Sequence, residues 1–243
     1  MNVVASGMSP QLIASVLSWW QEAGVDYIAA DDAEPWLGRQ KLAPAAKISP
    51  PLEASAEAPL PATLATFVEW MMQAENLPLA GPANQRVGPN GAAGSALMIL
   101  TDMPEIGDAA SGTLLSGDVG ALFDTMLKAM GQEREGIYCA SLLPGRTPSG
   151  QIEDSHHKIL ARTALHHIRL AAPKYVWMLG QTTSRVMLGL DAAALPGKLH
   201  YINHEGGMVG GVGSFHPRLL LQNPKRKARV WADMQILMGE LRS

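Results

Sequence analysis

The stretch GSFHPRLLLQNPKRKARVW, residues 213–231, contains a small-residue turn, a His-Pro pair, an apolar triplet and five cationic side chains. A strand that ends at His216, followed by Pro217, would hold the imidazole at the edge of a sheet. The positive segment beyond it is the kind of surface that meets an anionic polymer. The alternative is a strand end followed by a solvated amphipathic helix. The five cations are Arg218, Lys225, Arg226, Lys227 and Arg229.

Length and composition indicate an ordinary globular protein. A chain of 243 residues that is 47% apolar can bury one large core, or one core and a small appendage. No apolar run approaches the roughly 20 residues that a bilayer span needs. The N-terminus also lacks the basic region and long apolar core of a signal peptide. We therefore predict a cytoplasmic protein with no membrane partner.

The single cysteine, Cys139, limits the possible metal and redox chemistry. One thiol cannot form an intramolecular disulfide, and it cannot supply the several thiolates of a zinc site or a metal cluster. We predict that Cys139 is a small hydrophobic residue inside a strand. No cofactor and no metal are predicted.

Charge is distributed unevenly along the chain. The net charge of −3 combines −6 over residues 1–80 (nine acids, three bases) with +3 over residues 81–243 (thirteen acids, sixteen bases). The basic excess near the C-terminus permits a local nucleic-acid-binding patch without making the whole protein cationic.

Three segments are predicted from composition. Ser9-Pro10 marks the start of an amphipathic helix that runs to Gly24, within an N-terminal helical extension, residues 1–41. Residues 42–61 are rich in Ala and Pro and form a linker. Residues 62–243 form the main domain.

The main domain alternates short apolar runs with amphipathic helices. Strands are predicted at residues 96–100, 137–143, 175–179 and 209–215, and helices at 64–76, 121–130, 153–170, 182–188 and 224–241. Repeated strand, loop and helix predict an α/β fold with a parallel sheet and helices on both faces. Ligands of such sheets lie beyond the carboxyl ends of the strands. Those ends are Asp102, residues 141–146, residues 180–182 and His216.

Four segments together resemble the uracil-DNA glycosylase superfamily, most closely its bacterial group that usually carries an iron-sulfur cluster. The segments are LMILTDMPEIGDAASGTLLSGDVGALFDTML (97–127), IYCASLLPGRTP (137–148), YVWMLGQTTSRVML (175–188) and SFHPRLLLQNPKRKARVWADM (214–234). The pattern HP-x-x-LL-x-x-P-x-x-K-x-x-x-W at residues 216–231 is the specific part. The resemblance extends from about residue 64 to the C-terminus. It implies a three-layer αβα sandwich on a four-stranded parallel sheet.

The resemblance also implies a reaction in base excision repair of DNA. Such enzymes flip a deaminated base out of the duplex and hydrolyse its glycosidic bond. A carboxylate, here Asp102, orients or deprotonates water, and a histidine, here His216, stabilises negative charge on the leaving base. Met103, Pro104, Leu115 and Ser141 stand at the positions of the family's base pocket. Leu219, Leu220 and Leu221 lie where the family's loop wedges into the duplex, and the five cations of the opening stretch would hold phosphates.

This chain departs from the family pattern at several of these positions. Asp102 stands where the bacterial group has Glu, and Glu105 replaces a Gly. Leu115 replaces the aromatic residue that stacks on the base, and Ser141 replaces the Asn that reads the base edge. The cluster cysteines are absent, so no iron-sulfur cluster is expected.

The departures leave the activity open. Losing base stacking costs about 1–3 kcal/mol, and losing one well-placed polar partner costs about 3–4 kcal/mol in the transition state. Together these losses correspond to about 10³- to 10⁵-fold in rate, which permits residual catalysis but not efficient uracil selectivity. The alternatives are weak or altered base excision, a catalytically silent DNA-binding or partner-binding module, and a hydrolase of a small nucleotide-like substrate.

Overall fold

A computed structural model describes residues 59–75, 77–189 and 197–242. These residues belong to one compact unit, Ala58–Ser243. The predicted N-terminal extension, and all of the predicted linker except its last three residues, lie outside the described residues. None of the helices in the described ranges combines the length and the apolar character that a bilayer span requires.

Five strands form one mixed sheet in the described residues. They are β1 (Leu97–Thr101), β2 (Ile137–Ser141), β3 (Tyr175–Leu179), β4 (His200–His204) and β5 (Gly207–Ser214). The order is β2-β1-β3-β5-β4. All neighbouring pairs are parallel except β4 and β5, which are antiparallel. The predicted α/β class is confirmed, and the predicted count of four strands is wrong by one edge strand.

The additional strand, β4, is joined to β5 by a tight hairpin. Only Ile202 of β4 is buried, which is why its sequence lacks the continuous apolar run of the inner strands. A Cβ at Gly211 would lie 2.9 Å from the Ile202 Cδ1 atom, so a larger residue there would require the Ile202 side chain to shift. The other four strands form the parallel part of the sheet that the sequence predicts.

Seven α-helices are described. They are α1 (Leu64–Gln73), α2 (Asp108–Ser111), α3 (Gly117–Ala129), α4 (His157–Ala171), α5 (Gln181–Leu188), α6 (Pro217–Gln222) and α7 (Lys227–Arg242). The five predicted helices correspond to α1, α3, α4, α5 and α7. The last of these begins three residues late because Pro224–Arg226 forms a 3₁₀ turn. The short helices α2 and α6 were not predicted.

Helices pack against both faces of the sheet. Leu97 and Ile99 belong to a buried cluster with side chains of α3 and α7. Met98 and Leu100 belong to a second cluster with side chains of α4 and α5. All five residues of β1 are buried, as expected for a strand covered on both sides. The carboxyl ends of the parallel strands lie at one edge of the sheet, where ligands of such sheets bind.

Candidate active site

His216 lies at the carboxyl end of β5, where the sequence places it. The side chain caps α6: its Nδ1 accepts a hydrogen bond from the Arg218 backbone N–H at 3.1 Å. Because Nδ1 is an acceptor, the proton of the neutral ring lies on Nε2, which donates to Thr101 Oγ1 at 2.9 Å. Burial lowers the pKa of His216 to about 4, against the opposing effect of Asp102. The imidazole is therefore neutral at pH 7 and presents an N–H donor.

Asp102 lies one residue beyond β1 and is joined to His216 through Thr101. Its Oδ1 accepts hydrogen bonds from the Met103 backbone N–H at 2.9 Å and from Thr101 Oγ1 at 3.3 Å. The Thr101 hydroxyl can donate to Asp102 while it accepts from His216. The acid after the first strand and the imidazole after the last strand thus belong to one hydrogen-bonded cluster.

Glu105 also enters this cluster. Its Oε1 lies 3.0 Å from Arg218 Nη1 and 3.6 Å from His216 Nε2, and only 10% of the side chain is exposed. Oε1 makes no hydrogen bond of good geometry. Burial raises the pKa of Glu105, while the Arg218 guanidinium opposes the shift. From the sequence, Glu105 was identified as an acid in place of a glycine beside the site, and its contacts with Arg218 and His216 were not predicted.

Arg218 lies among these carboxylates. Its Nη2 is 3.4 Å from Asp102 Oδ2, and its Nη1 contacts Glu105, so the two ends of the guanidinium fork face two different acids. The side chain remains 31% exposed. The sequence grouped Arg218 with the DNA-backbone cations, and the structure places it beside the two predicted catalytic residues.

Asp108 fixes the loop that carries Glu105. Its carboxylate is fully buried and accepts four hydrogen bonds: from the backbone N–H groups of Glu105 (2.7 Å), Leu115 (2.9 Å) and Ser116 (2.8 Å), and from Ser116 Oγ (2.6 Å). Sequence reasoning did not identify Asp108. Only the sequence GDAAS, an acid at the start of a short helix, hinted at its role.

The predicted pocket residues divide into two groups. Met103 and Pro104 are buried directly after Asp102, and Met103 packs in the core cluster that includes α4 and α5. Ser141 ends β2 and donates from Oγ to the Leu143 carbonyl at 2.6 Å, while the Leu143 N–H donates to the Asp102 carbonyl at 3.1 Å. These three residues lie beside the cluster.

Leu115 does not join them. Its side chain is 0% exposed and packs in the core cluster that includes α3 and α7. The predicted contact between Leu115 and a base is therefore inconsistent with this conformation, because the core takes up the whole side chain.

The leucine triplet forms part of α6, and its members differ in exposure. Leu220 is 1% exposed and packs in the core, so its predicted role as a wedge is corrected. Leu219 is half-buried, and Leu221 is 45% exposed. Leu221 is the residue of the triplet that can reach a partner.

A cationic surface follows the triplet. Lys225, Arg226, Lys227 and Arg229 are all exposed. The Arg226 Cζ atom lies 4.6 Å from the centroid of the Phe215 ring and the Arg229 Cζ atom lies 5.9 Å from it, so one aromatic ring orients two cations. Phe215 immediately precedes His216, which places this surface next to the cluster.

The described residues contain no group of three His, Cys, Asp or Glu side chains placed to hold a metal ion. Cys139 is buried in β2, and burial raises the pKa of its thiol to about 12, which leaves it unreactive.

A protein-family model described as the uracil DNA glycosylase superfamily matches residues 89–235. The matched range contains every strand of the sheet and all the residues of the cluster.

Proposed function

Because the chain belongs to the uracil-DNA glycosylase superfamily, we propose that it binds DNA and hydrolyses the N-glycosidic bond of a deaminated base, with weak or altered specificity. Within the superfamily we place it near the bacterial iron-sulfur group, as a member without the cluster, built as an αβα sandwich. The observation that carries the proposal is the hydrogen-bonded path from His216 Nε2 through Thr101 to Asp102.

The cluster suits the two halves of the reaction. Asp102 would orient a water molecule and accept its proton as the water oxygen bonds to C1′ of the sugar. The bond from C1′ to the base nitrogen would break, and its electron pair would leave with the base. The neutral His216 would donate from Nε2 toward the charge that develops there.

The exposed cations supply a site for the DNA backbone. Lys225, Arg226, Lys227 and Arg229 continue from α6 into the first turn of α7, and Leu221 projects beside them. If these four cations each contact one phosphate, the logarithm of the DNA-binding constant should fall by about 3.6 per tenfold increase in salt.

A second candidate function is a catalytically silent DNA-binding module on the same scaffold. The favouring observation is the Glu105–Arg218 ion pair, which lies against both His216 and Asp102. A module of this kind would keep the cationic surface and lose cleavage.

An excision assay separates the two candidates. Single- and double-stranded oligonucleotides carrying uracil, hypoxanthine or xanthine are incubated with the protein, and abasic sites are revealed by alkaline cleavage. We expect cleavage that falls by about 10²- to 10⁴-fold in Asp102→Asn and by about 10²- to 10³-fold in His216→Ala. Binding without cleavage supports the module. No binding at low salt and no cleavage would remove both candidates.

A further inference from the structure

An apolar groove lies between α3 and α7, apart from the cluster of Asp102 and His216. Its volume is about 350 Å³, within the range of roughly 300–1,000 Å³ that small-ligand pockets have. Leu220 of α6 lines the groove and follows His216 by one helical turn along the chain. The groove therefore adjoins the element that His216 caps, and none of its lining residues belongs to the cluster.

Trp231 forms one wall of this groove. The residue is 44% exposed, although the side chains around it are mostly aliphatic or methionine, such as Leu122, Met126 and Met234. An exposed indole gains free energy when a ligand removes it from water. Its flat ring also favours another ring stacked on it. The wall of the groove thus suits a planar, aromatic ligand group.

The charge beside the groove is positive. Lys227 is the charged residue of the lining, and it precedes Trp231 by four positions in α7, so the two side chains share one face of the helix. Lys225, Arg226 and Arg229 are exposed along the same stretch of chain. A groove with this rim suits a ligand that combines anionic groups with planar rings.

Single-stranded DNA combines these two features. Proteins bind it without sequence preference through a cationic groove for the phosphates and aromatic side chains on which the bases stack. Duplex DNA presents the same phosphates, but its bases are stacked on one another and do not reach a protein ring unless they are flipped out. An apolar helix of a protein partner would fill the groove and make no use of the cations.

We propose that the groove at Trp231 binds an unpaired base of single-stranded DNA, while Lys227 and the neighbouring cations contact the flanking phosphates. This inference rests on the DNA binding of the proposed function and does not depend on hydrolysis. Every base has a π face, so the groove holds the strand without reading its sequence. The expected consequence is a contribution to single-strand affinity that the phosphate contacts alone do not supply.

The test measures binding of a labelled oligothymidine strand and of an abasic strand of the same length, which keeps the phosphates and lacks the bases. Trp231→Leu should weaken binding of oligothymidine by about 5- to 100-fold and change binding of the abasic strand by less than about twofold. Trp231→Phe keeps a ring and should recover most of the lost affinity. The matched control is Tyr201→Leu, which removes an aromatic ring that is 67% exposed on β4 and should change neither affinity.

Salt dependence separates the phosphate contacts from the stacking contact. Lys227→Gln should reduce the slope of the logarithm of the binding constant against the logarithm of salt concentration by about 0.7, because one phosphate contact is lost. Trp231→Leu should leave that slope unchanged, since stacking releases no counterions.

Equal weakening of both strands by Trp231→Leu, or no weakening of oligothymidine binding, overturns the assignment. A dimer in light scattering that Trp231→Leu dissociates also overturns it, because the groove would then be an interface between two copies of the chain. Base excision together with oligothymidine binding that is insensitive to Trp231→Leu would leave the proposed function intact while this inference falls. No binding of either strand by wild type at low salt would overturn both.

Discussion

Replacing Asp108 by alanine should destabilise the protein more than any exposed acid does. The substitution removes the acceptor of three backbone N–H groups and one hydroxyl, all grouped around a fully buried carboxylate. Each buried donor left without an acceptor costs about 1–3 kcal/mol. Three backbone donors therefore give at most about 3–9 kcal/mol. The Glu105 and Ser116 donors are only partly buried, and water entering the vacated space reduces this sum further.

We expect a loss of about 3–5 kcal/mol, within the range that broken buried networks show. For a domain of this size, 1 kcal/mol shifts the melting temperature by about 2–4 °C, so the melting temperature should fall by about 6–20 °C. Urea unfolding followed by circular dichroism measures the free energy, and a thermal melt checks it.

The matched control is Asp118→Ala, which makes the same change at an exposed position in the first turn of α3. An exposed acid in the first turn of a helix interacts favourably with the helix dipole, so the loss of Asp118 should cost about 0.3–1 kcal/mol. If Asp108→Ala costs no more than Asp118→Ala, the carboxylate does not organise the loop, and the account of how Glu105 is positioned fails.

Three further predictions follow from burial and contact. His167 is neutral because burial lowers its pKa to about 3. In the unfolded chain the histidine pKa is about 6.5, so below pH 6.5 the unfolded state binds more protons and the free energy of unfolding should fall by about 1.4 kcal/mol per pH unit. Urea unfolding of His167→Gln should show a shallower pH dependence of that free energy. An unchanged pH dependence would contradict the burial of a neutral His167. Phe215→Leu should weaken DNA binding about two- to fivefold by releasing Arg226 from the ring, with an unchanged titration as the opposing result. Leu220→Ala should lower the free energy of unfolding by about 2–5 kcal/mol. Leu221→Ala should lower it by less than about 0.5 kcal/mol and should weaken DNA binding. If melting and binding assays show instead that Leu221→Ala destabilises the protein and Leu220→Ala weakens only DNA binding, the burial assigned to these two residues is contradicted.

The strands of the inner sheet are predictable from sequence because they are buried on both faces. Residues 175–179 were predicted as a strand and are β3 without any shift in its bounds. The edge strand β4 escaped prediction since only one of its side chains is buried, and its position depends on pairing with the glycines of β5. The helix α6 was not predicted because the family resemblance assigned residues 219–221 to a loop, and the capping by His216 is visible only in three dimensions.

The sequence predicts the positions of Asp102 and His216 in the candidate site, but not the contacts of the residues that surround them. Asp102 and His216 follow strands, and strand ends meet at one edge of a parallel sheet. Glu105 and Arg218 are 113 positions apart by their numbers, and no local pattern pairs them. Asp108 accepts hydrogen bonds from backbone N–H groups, which every residue type except proline carries, so its partners cannot be identified from the sequence.

We propose that Asp102 and His216 act together in one cleavage site. A double-variant cycle of single-turnover base release tests it most directly, comparing wild type, Asp102→Asn, His216→Ala and the combined variant on the best-released base. Residues that serve one transition state have strongly non-additive effects. We predict that the combined variant is within about tenfold of the slower single variant. Losses that multiply in full, or single variants that release the base at the wild-type rate, would contradict the claim.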